Sequence, residues 1–300
     1  MPTRNVFFAT YSELFEPMFN NLNIELGEYG YFRGDPSWNV VEGPRYFNRL
    51  YFVVDGYGLV KQEEKVTELL PGNLYLLPSH QQYHLICPQR IEKFYIHFNI
   101  NLCQVQDLFR SCQDILRLPW AKKMEPPFSE MENITNIYEL LPYHNFIYNT
   151  IFEFLQFVPE ELLNQYFWHG LKYQKAFHYI QENLRVSLTI EEISRHSNYS
   201  VYMLAKKFKK DLGFSLNEYV QNKLLDYAIH QLYTFKNIKE IAEEMDFCDV
   251  HYFSNWFKRK TGYTPSQYRN EVTDQHELYF YKNRKPFRNS LEQLLQNKDA

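Results

Sequence analysis

Apolar and polar positions change period along this chain. Between residues 21 and 101 they come in short runs of β-formers. Leu22, Ile24 and Leu26 alternate with Asn23 and Glu25, so one side of a strand is apolar and the other polar. Further strand-like runs stand at 49–54, 73–77, 83–86 and 94–98, separated by Asp55-Gly56, Pro71-Gly72 and Pro78. Asp55-Gly56 carries a hairpin signal. Several short strands with such turns predict a small β-barrel or jelly roll. Before them lies an aromatic arm, residues 1–20, with Phe7, Phe8, Tyr11, Phe15 and Phe19.

After residue 101 the period becomes helical. Val105, Leu108, Phe109, Cys112, Ile115 and Leu116 fall at i, i+3 and i+4, which predicts a helix over 104–118. Pro119, Pro126 and Pro127 punctuate the connection to a second helix over 145–157. Pro159 suits the first position of a third, whose apolar face is Leu162, Leu163, Tyr166 and Phe167. An amphipathic helix over 171–184 opens the last part of the chain.

Residues 238–269 then read as two helices joined by a tight turn. Ile238, Ile241, Ala242 and Met245 recur at helical spacing, and Asp246 breaks the run. A second apolar set follows at Tyr252, Phe253, Trp256 and Phe257. Asp249 is placed to accept from the free N–H groups of that second helix. Lys258, Arg259 and Lys260 load its C-terminal end, Gly262 stops it and Pro265 follows. The unit repeats upstream. Thr189 caps a short helix, Asn198-Tyr199-Ser200 is the turn, a helix over 201–210 follows, and Gly213 stops it. Ile190, Ile193, Asn198 and Tyr199 correspond to Ile238, Ile241, Asp246 and Phe247 at an offset of 48 residues. Leu204, Phe208, Gly213, Ser215, Glu218 and Tyr219 correspond to Phe253, Phe257, Gly262, Thr264, Gln267 and Tyr268 at an offset of 49. Two copies of a helix-turn-helix, joined by a helix over 216–233, are the pattern of a chain with two DNA-reading heads.

The second copy resembles the signature of the AraC/XylS family of bacterial transcription regulators. The matching residues are Ile241-Ala242, Phe247, Tyr252-Phe253-Ser254, Phe257-Lys258, Gly262, Thr264-Pro265-Ser266 and Tyr268-Arg269. Asp246 stands where the family has Gly, and Leu224 where its connecting helix has Arg. Asp tolerates the left-handed backbone better than most residues, so the turn is expected to survive. The run through Pro71-Gly72 to Tyr83-His84 and on to 95–98 is similar to the cupin-like ligand domain of many family members. The resemblance implies an α+β chain: a cupin-like β-barrel with an N-terminal arm over 1–101, a helical dimerisation or linker region over 102–168, an all-α DNA-binding domain over 169–270, and an extension over 271–300. It implies no cofactor. It implies a cytoplasmic homodimer that binds double-stranded DNA in response to a small molecule, with a sugar or sugar derivative as the leading effector class.

Charge agrees with that division. Residues 1–169 hold 12 Lys and Arg against 20 Asp and Glu, whereas 170–270 hold 15 against 11. An acidic part joined to a basic part fits a sensor followed by a DNA reader. Four cysteines without CxxC spacing fit reduced thiols. No run approaches the roughly 18 apolar residues of a membrane span.

On the outward faces of the reading helices, Tyr202, Met203, Lys206 and Lys207 are the candidates of the first head, and His251, Ser254 and Asn255 of the second. Asn pairs bidentately with adenine, and Lys donates to guanine acceptors. Lys210, Lys258 and Arg259 suit phosphates. Aromatic faces with a few polar groups suit a small polar ligand, and the candidates for that role are Tyr31, Arg33, Trp38, Arg49, Tyr51, Tyr83, His84 and His97. His80, His84 and His97 raise a metal-dependent cupin enzyme as an alternative. Their spacing has neither His-x-His nor a nearby acidic ligand, so no metal site and no enzyme is expected. An effector-independent architectural DNA binder is a further alternative. The tail, aromatic at 278–281 and basic at 282–288, suits DNA, the sensor or RNA polymerase, or a loose end.

Overall fold

The computed structural model describes residues 16–120, 136–233 and 236–270. Residues 1–15 and 271–300, which carry most of the aromatic arm and the whole tail, lie outside the described residues, as do 121–135.

Among the described residues, nine strands form two antiparallel sheets. They are β1 (Leu22–Gly34), β2 (Asn39–Glu42), β3 (Asn48–Gly56), β4 (Gly58–Gln62), β5 (Lys65–Leu69), β6 (Asn73–Leu77), β7 (Tyr83–Ile86), β8 (Ile91–Leu102) and β9 (Leu116–Pro119). One sheet has the order β1-β8-β3-β6-β9 and the other β2-β7-β4-β5. The residue pairs Arg49↔His97, Tyr51↔Tyr95 and Val53↔Lys93 face each other across β3 and β8. Alternation then sends Arg49, Tyr51, Val53, Lys93, Tyr95 and His97 to one side of the sheet. On that side Tyr51, Val53 and Tyr95 pack with Val60, Leu69, Tyr83 and Leu85 of the second sheet. The other side, with Leu50, Phe52, Phe94, Ile96 and Phe98, packs against the helices. Both faces of β3 are therefore covered, which is why its sequence is a continuous apolar run.

Asp55-Gly56 does not make a hairpin. β3 and β4 belong to different sheets, and the chain turns a corner between them. Gly56 has φ of +78°, and a Cβ there would meet the Arg90 carbonyl oxygen at 2.2 Å, so the corner needs glycine. The helix expected over 104–118 is also absent. Asp107 caps a single 3-10 turn, Leu108–Ser111, by accepting from the Phe109 amide, and Leu116 and Leu118 then pair with Leu76 and Leu74 as strand β9. Leu116 and Leu118 also fit a period of two, and pairing with the edge of β6 decides between the readings.

The helices are α1 (Ile137–Phe154), α2 (Glu160–Glu182), α3 (Ile190–Ser197), α4 (201–212), α5 (Leu216–Tyr233), α6 (Ile238–Glu244) and α7 (Val250–Thr261). Asn136 caps α1, eight residues before the expected start, by accepting from the Tyr138 and Glu139 amides. Pro159 is the N-cap of α2. Helix α2 is unbroken across residues 168 and 169, so the linker region and the DNA-reading region share one rigid element. Where it crosses the end of β8, a Cβ on Gly170 would lie 2.3 Å from the Cys103 Cβ. Glycine there lets helix and sheet approach closely. Among the described residues no helix is long and apolar enough to cross a membrane.

Candidate nucleic-acid interface and buried charge cluster

The two heads are built alike, with one extra residue in the second turn. Thr189 and Asn237 cap α3 and α6. Asn198 and Asp246 sit at the turns with φ of 61° and 62°, both in the left-handed region. Ser200 and Asp249 cap the reading helices, accepting from the Met203 and Tyr252 amides at 3.2 and 2.7 Å. The hydrogen bond donated by the Tyr252 amide holds the Asp249 carboxyl below its ordinary range. Gly213 and Gly262 end those helices at φ of 85° and 83°. After each, a reciprocal capping box starts the next helix: Ser215 with Glu218, and Thr264 with Gln267.

In each head the reading helix buries one stripe and exposes the other. Leu204, Phe208 and Leu212 of α4, and Phe253, Trp256 and Phe257 of α7, are buried. Tyr202, Lys206, Lys207 and Lys210 are exposed on α4, and Met203 is half-buried. His251, Asn255, Lys258 and Arg259 are exposed on α7, and Ser254 is half-buried. Helix α4 widens to a π-turn over Met203–Lys207. Such turns break the regular ladder and are common at functional positions. The connector α5 holds the second head through the Trp256 indole N–H, which donates to Gln221 at 2.8 Å. Leu224, where the family pattern has Arg, is fully buried. Lys223 lies over the Tyr219 ring.

Between the sheets, five of the eight ligand candidates come together: Trp38, Arg49, Tyr51, Tyr83 and His97 are all buried. The Arg49 guanidinium lies over the rings of Phe47 and Tyr83, at 5.5 and 5.3 Å. His97 stacks on Phe47. The other three stand apart. Arg33 is exposed and reaches Glu92, the Tyr31 hydroxyl donates to Glu92, and His84 bonds Asn39. His80 faces Arg110 and Asp226, so the three histidines have separate partners.

The sequence reading missed three charged members of this cluster. Glu42, Arg45 and Lys93 are buried beside Arg49. The Arg49 Nη2 lies 2.6 Å from Glu42 Oε2, and Arg45 Nε lies 3.9 Å from the same oxygen. Lys93 Nζ is 3.2 Å from the Tyr51 ring centre and 4.1 Å from that of Trp38. Burial pushes its ammonium well below the ordinary lysine range. Alternation was the available signal: Lys93 shares a face with Tyr95 and His97.

The cluster touches the reading heads. Arg45 lies over the Tyr268 ring at 5.4 Å, and the Tyr268 hydroxyl donates to the Pro44 carbonyl at 3.0 Å. The Tyr219 hydroxyl donates to the Gln104 carbonyl at 2.8 Å. Nearby, a cavity of about 660 Å³ opens between the sheets and α5, with Asn101, Asp107 and His80 on one side and Asn222, Asp226 and His230 on the other.

Comparison with known proteins agrees with this architecture. Residues 193–271 match a family described as a helix-turn-helix domain. The chain is 26% identical over 260 residues to the uncharacterised HTH-type transcriptional regulator YfiF of Bacillus subtilis, covering 80% of this chain and 82% of that one. It is 22% identical over 268 residues to the Msm operon regulatory protein of Streptococcus mutans, covering 84% and 95%. A crystal structure of unsaturated fatty acid bound ToxT from Vibrio cholerae shares the fold, with a TM-score of 0.50 and 14% identity over 83% of this chain and 98% of that one. These relatives are transcriptional regulators, and the helix-turn-helix match with its two reading heads makes this chain a DNA-binding transcriptional regulator. The matched domain and these relatives support a regulator of the AraC type.

Proposed function

We propose that this regulator responds to a small-molecule effector held between its two sheets, and that effector binding changes how the two heads meet DNA. The observation that carries the reading is the position of Arg45. It belongs to the buried charge cluster and also packs on Tyr268 at the base of the second head. A ligand that rearranges the cluster acts on that contact directly, which is the differential interaction any ligand-driven shift requires. ToxT, similar in fold, has been crystallised with a fatty acid. That supports an effector without fixing its class. The aromatic lining of Trp38, Tyr51 and Tyr83 supports a sugar or sugar derivative. Tyr202, Lys206, His251 and Asn255 are the base-contacting side chains in this reading, and Lys210, Lys258 and Arg259 the phosphate contacts.

The reading also includes a cytoplasmic homodimer. Leu108 is buried in the core, so it does not itself offer an exposed interface. The exposed Tyr138, Leu141 and Phe152 of α1 support one instead. The test is selection of an operator from random duplexes, followed by affinity measurements with and without compounds that raise the melting temperature. A stabilising compound is expected to change operator affinity. Stabilisation with no change in affinity at any salt concentration overturns the reading.

A further inference from the structure

We infer that the effector carries an acidic group, a carboxylate or a phosphate, and that Lys93 and Arg49 receive it. The inference rests on the effector reading above and narrows it. Three cationic side chains, Arg45, Arg49 and Lys93, are buried in the cluster, and Glu42 is the one carboxylate buried with them among the described residues. Buried charges ordinarily come paired.

Of the two inner cations, Arg49 is paired with Glu42 through Nη2, whereas Lys93 is held by rings. The Lys93 ammonium sits among Tyr51, Trp38 and Phe32 and makes no hydrogen bond or ion pair with any described side chain. Arg49 lies over Phe47 and Tyr83, and its Nη1 has no hydrogen-bond partner there. Ring faces offset charge, but they do not accept the directed bonds that ammonium and guanidinium N–H groups make to oxyanions. Arg49 and Lys93 stand on one face of the sheet with Tyr51 between them. A ligand whose acidic end meets these cations lays its body on Tyr51, Tyr83 and Trp38. An anion also offsets the burial that depresses the Lys93 ammonium. Its negative charge draws on the same arginines that Glu42 holds, so it alters the Arg45 contact with Tyr268.

The experiment uses the full chain and a panel of neutral sugars, their uronic acids, their 6-phosphates, inorganic phosphate and short aliphatic carboxylates, read by thermal shift and then calorimetry. Acids or phosphates are expected to bind, and the neutral parents to bind at least about thirtyfold more weakly, the scale of losing one partner of a buried charge pair. Lys93→Met is expected to remove the preference for the acid, whereas Lys61→Met, on the exposed surface, leaves it intact. Arg49→Lys, which keeps the charge and loses the fork, serves if Lys93→Met does not fold, and is expected to weaken the acid more than its neutral parent. The uronic-acid and phosphate arms separate the two sources of charge. Neutral compounds that bind as tightly as their acids, with binding lost in Trp38→Ala, overturn the acidic class and leave the effector reading standing. A panel that shows no binding while operator binding is intact counts against both.

Discussion

Tyr219 and Tyr268 occupy the same place in the two helix-turn-helix repeats, and each donates its hydroxyl to a backbone carbonyl of the sheet domain. Tyr219 reaches Gln104 at 2.8 Å and Tyr268 reaches Pro44 at 3.0 Å. Both side chains are buried, and burial raises both phenols above their ordinary range, so they stay protonated as donors. Each bond ties one head to the sensor. Removing only the hydroxyl tests this. Tyr219→Phe and Tyr268→Phe are each expected to cost about 1 kcal/mol, because a buried carbonyl loses its donor while the ring packing stays. The bonds lie on different heads, so the double variant is expected to be additive to within about 0.5 kcal/mol. Urea denaturation gives the energies. Hydrogen exchange at Tyr46 and Val105 is expected to quicken if the tethers hold the domains together.

The turn residues offer a second test. Asn198 and Asp246 both hold left-handed backbone, and the Asp246 carboxylate also accepts from the Ser187 hydroxyl. A Cβ in this conformation costs roughly 1–2 kcal/mol unless the side chain bonds locally. Asn198→Ala is therefore expected to destabilise the first head by about 1 kcal/mol. Asp246→Gly gains backbone freedom and loses the Ser187 bond, so it is expected to fall within about 0.5 kcal/mol of the parent. An Asp246→Gly variant far less stable than that would give the carboxylate a larger role. Melting temperatures of the two variants decide it.

These turns were legible in the sequence because they depend on local chemistry. Caps, left-handed residues and glycine stops are set by neighbours a few positions away, so the connector Leu216–Tyr233 and both reading helices could be placed from spacing alone. Strand β9 and the corner at Gly56 were not, because both depend on which distant strand is available to pair. The stripe from Val105 to Leu116 satisfies helical spacing, but Leu108 and Phe109 are buried in the core, and the half-buried Leu116 pairs with the edge of β6. The ligand candidates divide in the same way. Trp38, Tyr51 and Tyr83 look like lining residues in the sequence and are buried between the sheets. Lys93 was passed over because a lysine in a strand usually faces water. Its alternation with Tyr95 and His97 was the signal available, and the register with Val53 places it on the inward face.

Base reading and phosphate contact are expected to separate cleanly. Asn255 is exposed on α7, one turn beyond His251. Asn255→Ala is expected to cost about 1–3 kcal/mol at one base position and to relax the preference there. Lys210, exposed at the end of α4, carries no such geometry. Lys210→Ala is expected to weaken all duplexes alike and to reduce the salt slope by about 1. Binding profiles over single-base operator variants at two salt concentrations measure both. A uniform loss for Asn255→Ala refutes direct readout by that side chain.

The cavity between sensor and connector makes stability depend on pH. Burial pushes the carboxyls of Asp226 on α5 and Asp107 on the sheet domain up to about 6, from an ordinary value of 3.8. Burial and Arg110 push His80, 3.8 Å from Asp226, down to about 3 from 6.5. A raised carboxyl favours the folded state fully below pH 3.8, and that contribution is lost as pH rises through about 6. His80 acts in the opposite sense: its contribution is present above pH 6.5 and declines as pH falls toward 3. Asp226→Asn isolates the carboxylate, since His80 is common to both proteins. The variant is expected to be more stable than the parent by about 1–2 kcal/mol above pH 6.5, less than the full shift implies because the side chain is 30% exposed. The gap is expected to close as pH falls from 6 to below 4, where the parent carboxyl is protonated. Denaturation curves across that range check the sign. A variant no more stable than the parent at pH 7.5, or a gap that persists at pH 4, would show that ionising Asp226 is not what opposes docking of the connector.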